Sequence, residues 1–190
     1  MSRTPQLKFK TPSFKNELAF GGTLLRKRKN RKQRPVSSKD PMHLVLRSSM
    51  AKGVMGFGPS KNVVRVREIV DQHCSRYGVK LIQFSNNFNH LHLMVKFPSR
   101  AVYLRFIRSI TGALALAVTG ASKLKALGAK FWDFRPFTRV IRSLRGYQVA
   151  RDYVTLNQLE ALEILPKRSG RLREVGAGER HHFKYRARTA

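Results

Sequence analysis

The chain has 190 residues and a formal net charge of +29, from 39 Lys and Arg against 10 Asp and Glu. This length suits one domain with a sizeable core plus tails. The charge excludes an ordinary enzyme for small neutral substrates, because self-repulsion at this level opposes compaction unless a polyanion relieves it. Nucleic acid is therefore the first candidate partner, and an anionic membrane surface is the second.

The positive charge is spread along the whole chain. Residues 1–40 carry 12 Lys and Arg against 2 Asp and Glu, residues 166–190 carry 8 against 2, and the middle of the chain is also basic. We predict a basic, flexible arm over 1–40, a catalytic domain over 41–165 and a basic tail over 166–190. A solvated charge run is the simpler interpretation of the arm, but the basic core favours contacts with nucleic acid. The predicted contacts in the arm are Arg26, Lys27, Arg28, Lys29, Arg31 and Lys32.

Cysteine usage and hydropathy further narrow the class of protein to which the chain could belong. Cys74 is the only cysteine, which excludes an internal disulfide and a cysteine-rich zinc site. The start of the chain has no apolar core of signal-peptide length, and the most apolar stretch, Ile110 to Ala121, is too short to span a bilayer. We expect a cytoplasmic protein close to the nucleoid, without a membrane partner.

The hydrophobic periodicity predicts seven elements in the order β-α-β-β-α-β-α. We expect Ser60 to cap the first helix and Gly78 to end it, Ser99 to begin the second, and a bend at Pro136 in the last strand. This order predicts an α+β fold with an antiparallel, ferredoxin-like sheet of four to five strands and helices on one face. The predicted spans are strands 42–48, 79–84, 90–97 and 130–142, and helices 61–77, from 99, and 143–165.

The sequence Asn89-His90-Leu91-His92 lies in the third predicted strand. Alternate strand residues share a face, so His90 and His92 point together, along with Lys96. Two neighbouring imidazoles can bind a metal ion. Taken alone, the pair is better explained by two surface histidines. His43, in the first strand, could face either way.

The last predicted helix carries Tyr153 and Asn157 at i and i+4, on one helical face. Such a pair is common, and a tyrosine in an amphipathic helix usually packs. Tyr147 lies six residues earlier and is expected to be a packing residue, because it has no polar partner four residues on.

Taken together and in this order, the motifs resemble the HUH single-tyrosine transposases, in particular the REP-associated branch. The similarity covers about residues 41–165 and includes Asn89–His92, Phe131–Arg135 and Tyr147…Asp152-Tyr153-x-x-x-Asn157. It departs from the family at Gln158, where a proline is frequent, and in the long basic arm. The resemblance implies an HUH endonuclease fold that acts on single-stranded DNA near small hairpins, as a monomer or homodimer.

The resemblance also assigns roles. It implies that His90, His92 and Asn157 bind Mg²⁺ or Mn²⁺ and that Tyr153 attacks DNA; within the core, Lys96 and Arg135 are the predicted DNA-contacting cations. A free phenol has a pKa near 10, so metal and nearby cations would be needed to assist it. Attack would leave a 5′-phosphotyrosine and a free 3′-OH, conserving the bond energy for strand transfer.

Rival classes fit the residues less well. A two-metal nuclease needs converging carboxylates, whereas most of the six acidic residues of the core lie on predicted helices. Replication initiators of the HUH kind usually have a lysine after the tyrosine, and relaxases usually add a third histidine ligand. The main alternative is a non-catalytic DNA- or RNA-binding protein, such as a domesticated transposase or a ribosome-associated factor. In either class Phe131, Trp132 and Phe134 could stack on unpaired bases or pack in the core.

Overall fold

The computed structural model describes residues 18–27, 33–122 and 124–166. Within them, the strands are β1 (Ala19–Phe20), β2 (Met42–Arg47), β3 (Lys80–Asn86), β4 (His90–Lys96) and β5 (Phe137–Val140). The helices are α1 (Leu24–Lys27), α2 (Ser60–Arg76), α3 (Arg100–Thr119) and α4 (Leu144–Ala161). The five strands form one antiparallel sheet in the order β1-β5-β2-β4-β3. A short 3₁₀ turn at Gly53–Met55 lies in the loop after β2.

The predicted α+β fold with an antiparallel sheet is confirmed, with two local corrections. The prediction that Ser60 caps α2 is wrong, since Ser60 is the first residue of the helix. Pro59 is the N-cap residue, and it makes no side-chain cap bond. Strand β5 is shorter than predicted: residues 131–136 run along the end of β2 as a bend, where the Asp133 N–H donates to the Arg47 carbonyl at 3.1 Å. Pro136 lacks an N–H and so marks the last residue before pairing starts.

Helix α3 continues through Gly112 and is closed by residues with the expected chemistry. The Ser99 hydroxyl accepts the Val102 N–H at 3.2 Å, and Gly120 ends the helix at φ +65°, a conformation that favours glycine. By length and composition alone, α3 could cross a membrane. Its buried stripe, however, packs against α2 and the sheet as in a core helix; it comprises Tyr103, Phe106, Ile110, Leu114 and Val118.

The helices cover both faces of the sheet, so the expectation of helices on one face is wrong. Helices α2 and α3 pack on the face that contains Leu44, Leu91 and Leu93, which forms the main core. Helix α4 packs on the opposite face, where Val154 lies in a smaller cluster with Met94. The alternation of strand side chains explains this: Met94 points away from its neighbours Leu93 and Val95.

Part of the predicted arm belongs to the sheet. Strand β1 pairs with β5, with Phe20 opposite Thr138, and Arg34 holds the following segment by donating to the Thr138 hydroxyl at 3.0 Å. The Arg34 guanidinium also lies 4.7 Å from the centroid of the Phe20 ring. The sheet therefore begins before residue 41, while the flexible arm and the basic tail stay predictions for residues that lie mostly outside the described ranges.

Candidate active site

Three histidines lie on the face of the sheet that α4 covers. Directly opposed residues of antiparallel strands share a face, and the register pairs His43 with Met94, Val45 with His92, and Arg47 with His90. The His90 and His92 rings have centroids 4.9 Å apart. The His43 and His92 rings are nearly parallel, with centroids 5.2 Å apart, and a hydrogen bond of 3.0 Å joins Nε2 of His43 to Nδ1 of His92.

Helix α4 is fixed against β3 and the turn that follows it by polar contacts. The Ser143 hydroxyl caps the helix by accepting the Gly146 N–H at 3.0 Å. Farther along, the Gln158 side-chain oxygen accepts the Asn86 N–H at 3.0 Å. The Asn87 amide donates to the carbonyl and side-chain oxygens of Asn157, at 3.2 and 3.3 Å. The bonds from Asn86 and Asn87 set the rotation of α4, so that the face carrying the tyrosine is turned toward the sheet.

Tyr153 and Asn157 thereby come to the histidine face. The half-buried Tyr153 ring meets the His92 ring edge-on, with centroids 5.4 Å apart, and lies 5.9 Å from the His43 ring. Asn157 is buried, and its amide nitrogen donates to the Tyr153 carbonyl at 2.6 Å. The i, i+4 spacing seen in the sequence is thus realised as a contact within one turn of helix.

The imidazoles of this face are neutral at physiological pH. Burial lowers the pKa of His90 to about 4, with a further contribution from the positive charge of Arg47. Burial lowers the pKa of His92 well below its ordinary value, and the neighbouring His43 and His90 add to the effect. A neutral imidazole offers a lone pair, which is the form that binds metal ions.

One buried nitrogen at this site has no hydrogen-bond partner among the described residues. It is Nε2 of His92, whose residue is 3% exposed. Buried polar atoms are nearly always partnered, and a bound cation would satisfy this one. Within the described ranges no group of three or more His, Cys, Asp or Glu could hold a metal ion. A site here would need the amide oxygen of Asn157 beside the two histidines. Amide, phosphate and water oxygens are ligands that suit Mg²⁺ or Mn²⁺ and would complete the shell.

An open cleft of about 810 Å³ lies beside these residues and is lined by both His90 and Asn157. Its other wall is the Gly-rich loop from Gly53 to Gly58. The buried Asn62 amide holds that loop by donating to the Val54 and Gly56 carbonyls at 2.9 and 2.6 Å. A separate groove between α2 and α3 contains none of the candidate site residues. The cleft is the opening through which a substrate could reach His90 and Asn157.

Two arginines near the histidines carry no signal in the sequence that marks them as functional. Arg47, whose side chain is 57% exposed, stands opposite His90 and forms an ion pair with Asp133 at 3.5 Å. Arg139 is exposed and stands opposite His43. The alternation in Met42–Arg47 puts Arg47 on the same face as His43, but it does not show which face of the sheet that is, and it says nothing of Arg139.

The predicted DNA-contacting residues are more dispersed. Lys96 is exposed on the histidine face at the far end of β4, and Arg135 is exposed in the bend before β5. Arg26 and Lys27 end α1, but their side chains are not among the described features; Arg28, Lys29, Arg31 and Lys32 lie outside the described residues.

The aromatic segment before β5 packs into the protein. Phe131 is 5% exposed, and Trp132 stacks on Phe57 with ring centroids 5.9 Å apart while its N–H donates to the Thr111 carbonyl at 3.0 Å. Of the two alternatives for these aromatics, packing is therefore the one that the structure favours for Phe131 and Trp132. Tyr147, as expected, packs against the cluster beneath α4.

The family described as "Transposase IS200 like" matches residues 38–155, which is more than half of the chain. The chain belongs to this family of transposases. The match extends from just before β2 into α4 and includes Tyr153, but it ends before Asn157. No curated protein matches the chain in sequence.

A solved structure supports the same fold. The chain is similar to a REP-associated tyrosine transposase bound to a REP hairpin, with a TM-score of 0.54 and 12% identity over 69% of this chain and 73% of that one. It also matches a candidate transposase from Deinococcus radiodurans R1, with a TM-score of 0.42 and 14% identity over 68% of this chain and 98% of that one. At these identities the first likeness bears on the fold alone, which is the HUH endonuclease fold.

Proposed function

We propose that this transposase cuts single-stranded DNA in a metal-dependent reaction and transfers the strand through a 5′-phosphotyrosine intermediate, with Tyr153 as nucleophile. The observation that carries the proposal is the convergence of Tyr153 and Asn157 from α4 with His90 and His92 from β4. A protein that only binds DNA has no need of two neutral, desolvated imidazoles beside a tyrosine.

The reaction balances without an external energy source. The Tyr153 oxygen forms a bond to the scissile phosphorus, the bond from phosphorus to the 3′ oxygen breaks, and the phenolic proton is exchanged through solvent for the one that the 3′ oxygen gains. The reverse attack by another 3′-OH joins a new strand and regenerates the tyrosine. His90, His92 and Asn157 would hold Mg²⁺ or Mn²⁺. The chemistry that the bound ion supplies is neutralisation of the phosphate charge that builds up in the transition state.

Single-stranded DNA with a hairpin is the proposed substrate. The similar REP-associated transposase was solved with a REP hairpin, and the net charge of +29 suits a phosphate backbone. The open cleft beside His90 has room for nucleotides next to the scissile phosphate. We expect the protein in the cytoplasm, at the nucleoid, acting as a monomer or a homodimer.

The position of Arg47 opposite His90 gives a specific expectation. We expect Arg47→Ala to weaken binding of single-stranded DNA and to lower the salt dependence of affinity by roughly one counterion, since about 0.7 ions are released per phosphate contact on single strands. The measurement is a fluorescence anisotropy titration at several salt concentrations. Arg67→Ala is the matched control, because Arg67 is similarly exposed and ion-paired but lies on α2, across the sheet. Equal losses in both variants would argue against a local role for Arg47.

The test of the proposal is a covalent adduct. The full chain is incubated with end-labelled single-stranded DNA that carries hairpins from the flanks of its own gene, with Mn²⁺, Mg²⁺ or EDTA, and resolved on a denaturing gel. We expect an adduct that requires the metal and that carries the 5′ phosphate side of the cut. Tight binding without an adduct, in both metals and across several hairpins, would instead support the non-catalytic DNA- or RNA-binding alternative.

A further inference from the structure

His43 is a third histidine at the site, and neither the family match nor the proposed function gives it a role. It is 8% exposed, and its Nε2 lies 3.0 Å from Nδ1 of His92. The rings are nearly parallel, with an interplanar angle of 13°. Because Nε2 of His43 is engaged by His92, that nitrogen is not free to act as another ligand. His43 contacts Nδ1 of His92, which is the other ring nitrogen from the unpartnered Nε2.

The bond between these nitrogens requires one proton, which leaves two arrangements. An imidazole that carries no proton on one ring nitrogen carries it on the other. If His43 donates, the proton of His92 sits on its buried Nε2, which has no acceptor among the described residues. If His92 donates, Nε2 keeps its lone pair. The second arrangement avoids a buried unsatisfied donor.

We infer that His43 is a positioning residue: its Nε2 accepts the Nδ1–H of His92 and so holds His92 in the tautomer and orientation whose Nε2 binds the divalent ion. The role of His43 toward the ion rests on the proposed function, whereas the argument about the tautomer of His92 does not. Metal-binding histidines usually donate their other N–H to a carboxylate, a carbonyl or water. Here a neutral histidine takes that place, on the strand next to β4.

Two substitutions distinguish the loss of the hydrogen-bond acceptor from a change in side-chain volume. His43→Phe keeps a flat ring but removes the acceptor, and we expect Mn²⁺ affinity to fall by about 10- to 100-fold, the usual effect of losing such a partner. His43→Gln can return an acceptor near Nε2, and we expect affinity to recover most of that loss. Mn²⁺ binding is measured by electron paramagnetic resonance without DNA. His73→Phe, on α2, is the control for loss of a histidine remote from the site and should leave affinity unchanged.

A second measurement uses the native chain without metal. A long-range ¹H–¹⁵N spectrum of the imidazoles should show His92 with its proton on Nδ1, and thermal unfolding of each variant checks that it folds. A proton on Nε2 of His92 in the native chain, or native Mn²⁺ affinity in His43→Phe, would overturn the inference and leave the proposed function standing. If the native chain binds no Mn²⁺, the proposed metal site falls, and the role of His43 toward the ion falls with it. The spectrum of the native chain tests the tautomer of His92 even if His43→Phe fails to fold.

Discussion

We expect the Tyr153→Phe variant to form no covalent adduct with DNA, a loss on the order of 10⁴-fold or more, because it removes the only atom that forms the bond to phosphorus. The substitution deletes one oxygen and keeps the ring that meets His92 edge-on at 5.4 Å. Stability and DNA affinity should therefore stay close to those of the native chain. The measurement is the denaturing gel with Mn²⁺, accompanied by thermal unfolding and an anisotropy titration.

Tyr147→Phe is the matched control for this experiment. Tyr147 lies on the same helix and packs against the same small cluster under α4, six residues earlier in the chain. We expect its variant to form the adduct at nearly the native rate. An adduct that persists in Tyr153→Phe and disappears in Tyr147→Phe would move the nucleophile to Tyr147 and refute the role proposed for Tyr153.

The second large effect is expected at the metal ligands. His90→Ala should lower both Mn²⁺ affinity and the rate of adduct formation, the latter by roughly 10²- to 10³-fold, because a bound metal contributes several kcal/mol to stabilising charge in the transition state. His90 is only half-buried, so its loss leaves less of a cavity than the loss of fully buried His92. Mn²⁺ binding is followed by electron paramagnetic resonance and cleavage by the gel.

His73→Ala is the control for the metal experiment, since His73 is part-buried on α2 and its ring bonds to the Ile69 carbonyl of its own helix. It should bind Mn²⁺ and form the adduct as the native chain does. If His90→Ala also keeps native Mn²⁺ affinity, the ion is bound elsewhere. The role of His90, and the set it forms with His92 and Asn157, would then have to be abandoned.

Local periodicity of the sequence predicted much of the fold and of the site. Strand alternation alone put His90 and His92 on one face, and the interval of four residues put Tyr153 and Asn157 on one helical face. Gly78, which adopts a positive φ that favours glycine, marked the end of α2 correctly. These features depend on the geometry of consecutive residues, so the sequence by itself determined them. The net charge of +29 likewise indicates a nucleic-acid partner, because it depends on composition alone.

The tertiary structure decided which faces meet. Nothing in the local pattern shows that α4 covers the histidine face, because contacts between residues far apart in the chain set that choice, such as the bond from Asn87 to Asn157 across 70 positions. The same holds for His43, whose strand could have faced either way until the register paired it beside His92. Alternation fixes which residues share a face, whereas only packing of the whole chain determines what that face contacts.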